Sequence, residues 1–186
     1  MEVVTQPQPP PRTEDWRALL ERARALGVPR NYGRLHGLRP VREPSQLAFI
    51  GADIHGRPQW LAPRAAAAFA RMRGGANEQG VELQVVSAFR SVAYQLGILE
   101  RKRERGLDIA TILRVSAAPG YSEHHSGRAL DLTAPGCTPL EEDFEDSPAY
   151  RWLHRHAHRY GFRLSFPRGN PHGIAYEPWH WCWHAR

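Results

Sequence analysis

The stretch Tyr121-Ser122-Glu123-His124-His125-Ser126-Gly127-Arg128-Ala129-Leu130-Asp131 joins a short polar loop to a small-residue strand that ends in a carboxylate. A strand over residues 127–132 places Gly127, Ala129 and Asp131 on one face and two leucines on the other. We expect the leucine face to be buried and the opposite face to leave room for a substrate. His124 and Asp131 are therefore candidate ligands of an open metal site. A structural zinc site more often has paired cysteines.

The composition fits one ordinary globular domain. The chain has 186 residues, 41% of them hydrophobic and 24% charged, which is enough for a core but not for a second full domain. The net charge of +6 comes mainly from arginines spread along the chain, and no nucleic-acid-binding motif accompanies them. The densest basic run, residues 101–105, is interpreted as a solvated helix end. An anionic polymer such as bacterial cell wall is compatible with this charge.

Cys137 and Cys182 are the two cysteines of the chain, too few for a disulfide framework or a cysteine zinc cluster. Cys137 follows Asp131 by a short loop, and Cys182 follows His180 by two residues. If Asp131 and His180 share a metal, the two thiols lie near each other and one disulfide is a candidate, although bridge geometry is strict. The alternative is two small buried thiols.

The N-terminal residues 1–12 are polar and proline-rich and lack the apolar region of a signal peptide. No later stretch approaches the roughly 20 apolar residues of a transmembrane helix. We predict a disordered leader over 1–12, an N-terminal helix with a wrapping segment over 13–62, and the main core over 63–186, all within a single domain. The protein is then either cytosolic, or its sequence here lacks a natural export signal.

Hydrophobic spacing and turn residues predict an α+β fold. The predicted helices cover residues 13–26, 63–77, 92–105, 108–114 and 148–160. The predicted strands cover residues 47–50, 59–61, 81–87, 127–132, 162–166 and 176–183. Thr13 and Ser147 are predicted N-caps, and Pro63 is a predicted first helical residue. Since helices and strands do not alternate regularly, we expect a small antiparallel sheet with helices packed on one side and the metal site on the open face.

The segment Glu177-Pro178-Trp179-His180 is the second stretch with metal chemistry. Pro178 and the tryptophans argue against a helix, and in an unbroken strand Glu177 and His180 face opposite ways. We expect Pro178 to turn the chain, so that Glu177 on a loop and His180 on a strand approach one metal. Two imidazoles and a carboxylate suit zinc with a fourth position open for water. The alternative is that the two histidines are unrelated polar residues.

The pattern Ser122-x-His124-x-x-Gly127-x-Ala129-x-Asp131, followed by Glu177-x-x-His180, resembles the zinc D-alanyl-D-alanine carboxypeptidases of the vancomycin-resistance type. Related D,D-dipeptidases and L,D-carboxypeptidases share it. Upstream, residues 87–91 and Gln95 resemble the Ser-x-Tyr-Arg-Ser segment of that family and the glutamine that follows it. The resemblance spans residues 63–183, which identifies the predicted core as a zinc peptidase core.

The resemblance implies a role for each matching residue. The implied Zn²⁺ ligands are His124, Asp131 and His180. The implied catalytic residues are Glu177, as the base, and Arg90, as the group that stabilises the scissile carbonyl. The implied substrate-binding residues are Ser122, Ser87 and Gln95. These roles are chemically sound, because zinc lowers the pKa of a bound water to about 7 and a neighbouring carboxylate can then take its proton.

Some residues depart from the family pattern or lie outside it. Phe89 stands where the family commonly has tyrosine, and Cys182 stands where a basic residue is common, so both departures bear on specificity. His125 has no matching role and is interpreted as loop surface or as support behind the ligands. His154 and His158 are interpreted as part of a solvated basic helix face.

The resemblance implies a zinc-dependent carboxypeptidase that removes a C-terminal D-amino acid, usually D-alanine, from peptidoglycan stem peptides or muropeptides. The alternatives are an endopeptidase of the same group and a non-catalytic zinc-containing binding module. Glu177 together with Arg90 argues against the binding module, which has no need of a base beside the metal. The substrate favours the cell envelope, as in a periplasmic protein. We expect no specific nucleic-acid partner and no transmembrane segment, and the oligomeric state stays open.

Overall fold

The structure is a computed structural model that describes residues 7–185. Its helices are α1 (Trp16–Ala25), α2 (Tyr32–Leu35), α3 (Pro63–Asn77), α4 (Val92–Glu104), α5 (Ile109–Arg114) and α6 (Pro148–His156). Its strands are β1 (Ala48–Ala52), β2 (Pro58–Leu61), β3 (Gln84–Ser87), β4 (Ala129–Thr133), β5 (Phe162–Leu164) and β6 (His180–Trp183). Single 3₁₀ turns cover Glu123–Ser126, Glu142–Asp146 and Ala157–Tyr160. Residues 1–6 of the predicted leader lie outside the described part, and residues 7–12 form neither helix nor strand.

Two antiparallel sheets form the β structure. Strands β1 and β2 make a hairpin, and the main sheet has the order β3-β4-β6-β5. In this sheet Asp131 lies opposite His180 on one side and opposite Ser87 on the other. The predicted α+β class is confirmed, and the sheet brings together residues that are about fifty positions apart in the chain.

The main hydrophobic core lies on one face of this sheet. Leu130, Leu132 and Trp181 point into it, together with side chains from α3 and α6. Strand alternation places Asp131 and His180 on the opposite face. The described helices α1, α4 and α5 pack on one another in a second cluster that contains no strand residue. The packing of α3 and α6 on one sheet face agrees with the predicted arrangement.

The N-terminal helix starts differently from the prediction. Asp15, not Thr13, caps α1, because its carboxylate accepts the Ala18 N–H at 2.9 Å. The Thr13 N–H and hydroxyl instead donate to the buried carboxylate of Glu43, each at 2.7 Å. Glu43 also accepts the Val92 N–H at 2.6 Å. The start of the chain is thereby tied to the start of α4.

The strand β4 is shorter than predicted, and its small residues do not leave room for a substrate. Gly127 lies before the strand with φ +64°, and a Cβ there would meet the Ala62 nitrogen at 2.8 Å. The Gly127 carbonyl accepts the Ala62 N–H at 2.8 Å, and Ala129 is fully buried. Small residues are needed here because the chain entering α3 packs directly on this loop.

Both cysteines are free thiols, so the disulfide interpretation is wrong. Cys137 packs against the main core, which contains Trp181. Cys182 follows Trp181 in β6 and therefore points to the other face of the sheet. Cys137, in the loop after β4, and Cys182 therefore lie on opposite sides of the sheet. Among residues 7–185, no helix is long and apolar enough to cross a membrane.

Candidate metal centre and adjoining cleft

The polar loop folds into one 3₁₀ turn that presents two buried histidines. The Ser122 hydroxyl caps the turn by accepting the His124 N–H at 3.4 Å. The turn ends at Gly127, whose left-handed conformation is easy only for glycine. His124 and His125 are both fully buried. The loop therefore holds its imidazoles in fixed positions instead of exposing them.

The predicted ligands converge on one point. Ligand atoms of His124, Asp131 and His180 lie within 4.8 Å of one another. His124 Nε2 and His180 Nδ1 each lie 3.2 Å from Asp131 Oδ1. A tetrahedral zinc site with bonds of about 2 Å has neighbouring donor atoms separated by about 3.3 Å. His124 Nε2 is buried and has no hydrogen-bond partner among the described residues, so a cation fits this donor set.

The other nitrogen of each imidazole is held by the protein. His124 Nδ1 donates to the Ala88 carbonyl at 2.6 Å, which leaves the lone pair of Nε2 for a metal. His180 Nε2 donates to Glu123 Oε2 at 2.9 Å, which directs Nδ1 inward. Such contacts fix the ring orientation and raise the basicity of metal-binding histidines. Glu123 with the three candidate ligands is called the metal wall below.

The charges in the metal wall are strongly coupled. Burial raises the pKa of Asp131, but His124, His180 and Arg90 outweigh burial and hold it well below its usual range. Burial lowers the pKa of His124 to about 4, and the Arg90 charge acts in the same direction. His124 is therefore neutral, as a ligand must be.

His180 lies between two carboxylates. Burial alone lowers its pKa, but Asp131 and Glu123 outweigh burial and raise it to about 10. For Glu123 burial alone raises the pKa, but the hydrogen bond from His180 outweighs burial and the pKa falls to about 2. A cation that binds Nδ1 must compete with a proton there, so we expect metal binding to release a proton.

Glu177 lies beside the metal wall, as the sequence predicts. Pro178 and Trp179 form a turn closed by the bond from the His180 N–H to the Glu177 carbonyl at 3.1 Å. Glu177 Oε2 lies 3.6 Å from His180 Nδ1. Burial raises the pKa of Glu177 to about 7, against the lowering effect of His180. A carboxyl with this pKa can both take and give a proton near neutral pH.

Arg90 lies on the other side of Asp131. Its Nη1 is 3.4 Å from both Asp131 Oδ2 and Ser87 Oγ. The Nε atom is buried and has no hydrogen-bond partner within residues 7–185. One guanidinium donor is thus unpaired next to the candidate metal site.

His125 supports Arg90, a role that the sequence leaves undecided. Its Nδ1 donates to the Arg90 carbonyl at 2.7 Å, and its Nε2 accepts the Gly120 N–H at 3.1 Å. Burial lowers the pKa of His125 to about 3, so the ring is neutral. The loop-surface interpretation is wrong, because the buried ring instead supports the backbone of Arg90 beside the ligands. The supporting role of Glu123 has no separate signal in the sequence, since only the fold places this residue against His180.

The predicted substrate-binding residues fall in different places. Ser122 borders a small pocket of about 30 Å³ together with His124 and His180. Gln95 lines an adjoining cleft of about 510 Å³ that also reaches Arg90 and Asp131. The Gln95 carboxamide donates to the Ala117 carbonyl at 2.8 Å.

Ser87 borders a different space from Ser122 and Gln95. It borders a separate groove of about 230 Å³, together with Trp60, Phe89 and Tyr94. Arg90 borders the cleft, the pocket and the groove. His154 and His158, which the sequence analysis assigns to a basic helix face, and His184 are exposed and lie outside the metal wall.

Comparison with known proteins identifies the family. The model of the D-alanyl-D-alanine carboxypeptidase family VanY matches residues 58–186. The chain belongs to the VanY family. The residues that match the family model therefore include the metal wall, Glu177 and Arg90. The match starts at β2, close to the predicted start of the peptidase core.

Individual carboxypeptidases are similar to this chain. YodJ of Bacillus subtilis (strain 168), named as a carboxypeptidase, is 33% identical over 150 residues, which are 74% of this chain and 53% of YodJ. The chain thus spans about half the length of this curated relative. The LdcB LD-carboxypeptidase structure has 28% identity and a TM-score of 0.68, covering 76% of this chain and 69% of LdcB.

A solved VanY structure links the family to zinc. The VanY D,D-pentapeptidase from a VanB-type resistance cassette was determined in complex with Zn(II). It has 25% identity and a TM-score of 0.60, and the match covers 78% of this chain and 83% of that one. VanY-type carboxypeptidases are zinc metallopeptidases, and the donor set of His124, Asp131 and His180 suits the same ion.

Proposed function

We propose that this protein is a zinc-dependent carboxypeptidase that removes a C-terminal D-amino acid, usually D-alanine, from peptidoglycan stem peptides. The observation that carries the proposal is the placement of Glu177 and Arg90 next to three converging metal ligands. Membership of the VanY family and the likeness to the LdcB LD-carboxypeptidase support it. Because peptidoglycan lies in the cell envelope, we propose this location for the protein.

Each residue of the site has a separate task. When bound, zinc supplies a Lewis acid that lowers the pKa of a water molecule to about 7. Glu177 accepts the proton of the attacking water and passes it to the leaving amine, for which its raised pKa is suited. The Arg90 guanidinium donates to the carbonyl oxygen as negative charge develops there. The metal wall holds the ligands, and the cleft orients the peptide.

Product analysis with the zinc-loaded protein tests the proposal. Muramyl pentapeptide and tetrapeptide are incubated with the protein, and the products are identified by mass. We expect release of free D-alanine from at least one substrate. An Asp131→Ala control should lose both zinc and turnover. Cleavage inside the stem peptide would instead identify an endopeptidase, and zinc-loaded protein that cleaves neither substrate would contradict a catalytic function.

A further inference from the structure

Lys102 is the only lysine of the chain, against 24 arginines. It lies on α4 seven residues after Gln95, so the two side chains share one face of the helix with Ile98 between them. All three line the cleft next to the candidate metal site, and they are called the α4 wall below. The neighbouring arginines of the helix end, Arg101 and Arg103, are exposed. Lys102 is thus a cation that α4 directs into the cleft.

Two consecutive residues after α5 hold the ends of this wall. Lys102 Nζ donates to Ser116 Oγ at 2.8 Å, and Gln95 Nε2 donates to the Ala117 carbonyl at 2.8 Å. The ammonium and the carboxamide therefore bond to adjacent residues of one loop at the α4 side of the cleft. Ser116 also borders the small pocket that contains His124. One serine side chain thus separates the Lys102 ammonium from the pocket of the metal ligands.

The Lys102 ammonium is not held in a direct ion pair. Within residues 7–185 no carboxylate forms an ion pair with it, and its hydrogen-bond acceptor is a neutral hydroxyl. The side chain is half-buried. Burial and the positive charge of Arg90 lower the pKa of Lys102, and they outweigh the raising effect of Glu177 across the cleft. A partly desolvated cation beside a second cation is stabilised when an anion binds between them.

We propose that Lys102, assisted by the Gln95 carboxamide, binds the free carboxylate of the amino acid that leaves. This deepens the proposed function and rests on it, because it assigns the α4 end of the cleft to the residue beyond the scissile bond. The contact favours cleavage at a C-terminal residue over cleavage at an internal peptide bond, which offers no carboxylate at this point.

Peptide binding to an inactive variant tests the assignment without turnover. The zinc-loaded Glu177→Gln protein is titrated in a calorimeter with L-Ala-D-Glu-L-Lys-D-Ala-D-Ala as the free acid and as the C-terminal carboxamide. We expect the additional change Lys102→Met to weaken binding of the acid about 10- to 100-fold, as for loss of a charge-assisted hydrogen bond. Binding of the carboxamide should be unchanged, and Lys102→Arg should restore part of the affinity for the acid. Equal weakening of both peptides, or no weakening of the acid, would overturn the assignment.

The single lysine permits a second test on the unchanged α4 wall. Reductive methylation of the Glu177→Gln protein, read by mass spectrometry of the segment with Lys102, should be slowed by the free acid and not by the carboxamide. Equal modification rates with both peptides would contradict a carboxylate contact. Arg105→Met is a matched surface control, and equal zinc affinity and thermal midpoints show that each variant is folded.

The two proposals can fail separately. If the wild-type protein releases no D-alanine while the free acid is still bound in preference to the carboxamide, the proposed reaction is wrong and the carboxylate site stands. If D-alanine is released but Lys102→Met has the same KM as the wild type, the reaction stands and the carboxylate site is wrong.

Discussion

The metal wall and the α4 wall meet in one cleft but are built differently. In the metal wall, Asp131 and His180 are paired residues of the central sheet, and both histidines are bonded at their second nitrogen. In the α4 wall, Gln95 and Lys102 reach across to a loop by one hydrogen bond each. Moreover, α4 belongs to the second hydrophobic cluster, which contains no strand residue.

This difference separates two functions. A metal requires donor atoms held within about 0.5 Å of the productive geometry, and strand pairing holds two of the three ligands, Asp131 and His180, opposite each other. The helix supplies groups whose positions depend on its packing against α1 and α5. Changes in the metal wall should therefore alter metal affinity, and changes in the α4 wall should alter stability or peptide affinity while leaving the metal in place.

The largest expected effect concerns Glu177, where the walls meet. Glu177→Gln keeps the size of the side chain but cannot accept a proton, so we expect kcat to fall about 10²- to 10⁴-fold with zinc content unchanged. The measurement is D-alanine release together with metal analysis. Glu141→Gln, an exposed carboxylate lining the same cleft, is the matched control and should stay near wild-type kcat. Comparable loss in both variants would mean that cleft charge, not proton transfer, is responsible.

The second-largest effect is expected at Glu123, which holds the far side of the His180 ring. Glu123→Ala removes the acceptor of the His180 Nε2 bond, and we expect zinc affinity to fall about 10- to 100-fold. Competition with a chelator measures the change. Glu123→Gln retains an acceptor oxygen and should lose less. If zinc binds the Glu123→Ala protein as tightly as the wild type, the sheet alone is sufficient to orient His180.

A change in the α4 wall should have a different signature. Gln95→Leu removes the hydrogen bond to the half-buried Ala117 carbonyl, and loss of a typical intramolecular hydrogen bond costs about 0.5 to 1.5 kcal/mol of stability. Urea unfolding should show this loss, while zinc affinity should equal that of the wild type. A parallel loss of zinc affinity would show that the two walls are not independent.

The smallest effect is expected at the outer side of α4. Arg22 and Glu100 join α1 to α4 by an ion pair of 2.6 Å, with side chains 60% and 30% exposed. Exposed pairs contribute little, so Glu100→Gln should lower the free energy of unfolding by less than about 1 kcal/mol. The loss should shrink at high salt. A salt-independent loss above that value would indicate a packing role for Glu100.

Local chemistry made several elements predictable from the sequence. The range of α3 follows from Pro63 at its first turn, and Ser147 caps α6 as expected. Pro178 turns the chain before β6, so Glu177 and His180 meet despite their spacing. In each case a residue with few allowed conformations, or a side chain that bonds its own backbone, decides the structure within one or two turns.

Long-range contacts account for the expectations that failed. Thr13 does not cap α1 because Glu43, thirty residues later, binds both of its donors. Gly127 was expected to face a substrate, but it faces the chain entering α3. The sequence does not show whether His125 is buried or lies on the loop surface, because only the fold places Arg90 and Gly120 around its ring. None of these partners can be inferred from the neighbouring sequence.

The sequence by itself determined the α+β class and the candidate ligands, base and guanidinium, because each belongs to a short motif whose side chains have few chemical alternatives. Only the tertiary structure decided what surrounds them. It placed Glu123 behind His180 and Lys102 beside the pocket of the metal ligands. It also directed the two thiols to opposite faces of the sheet. The physical reason is that strand pairing and helix packing join residues far apart in the chain, and burial then sets their charges and partners.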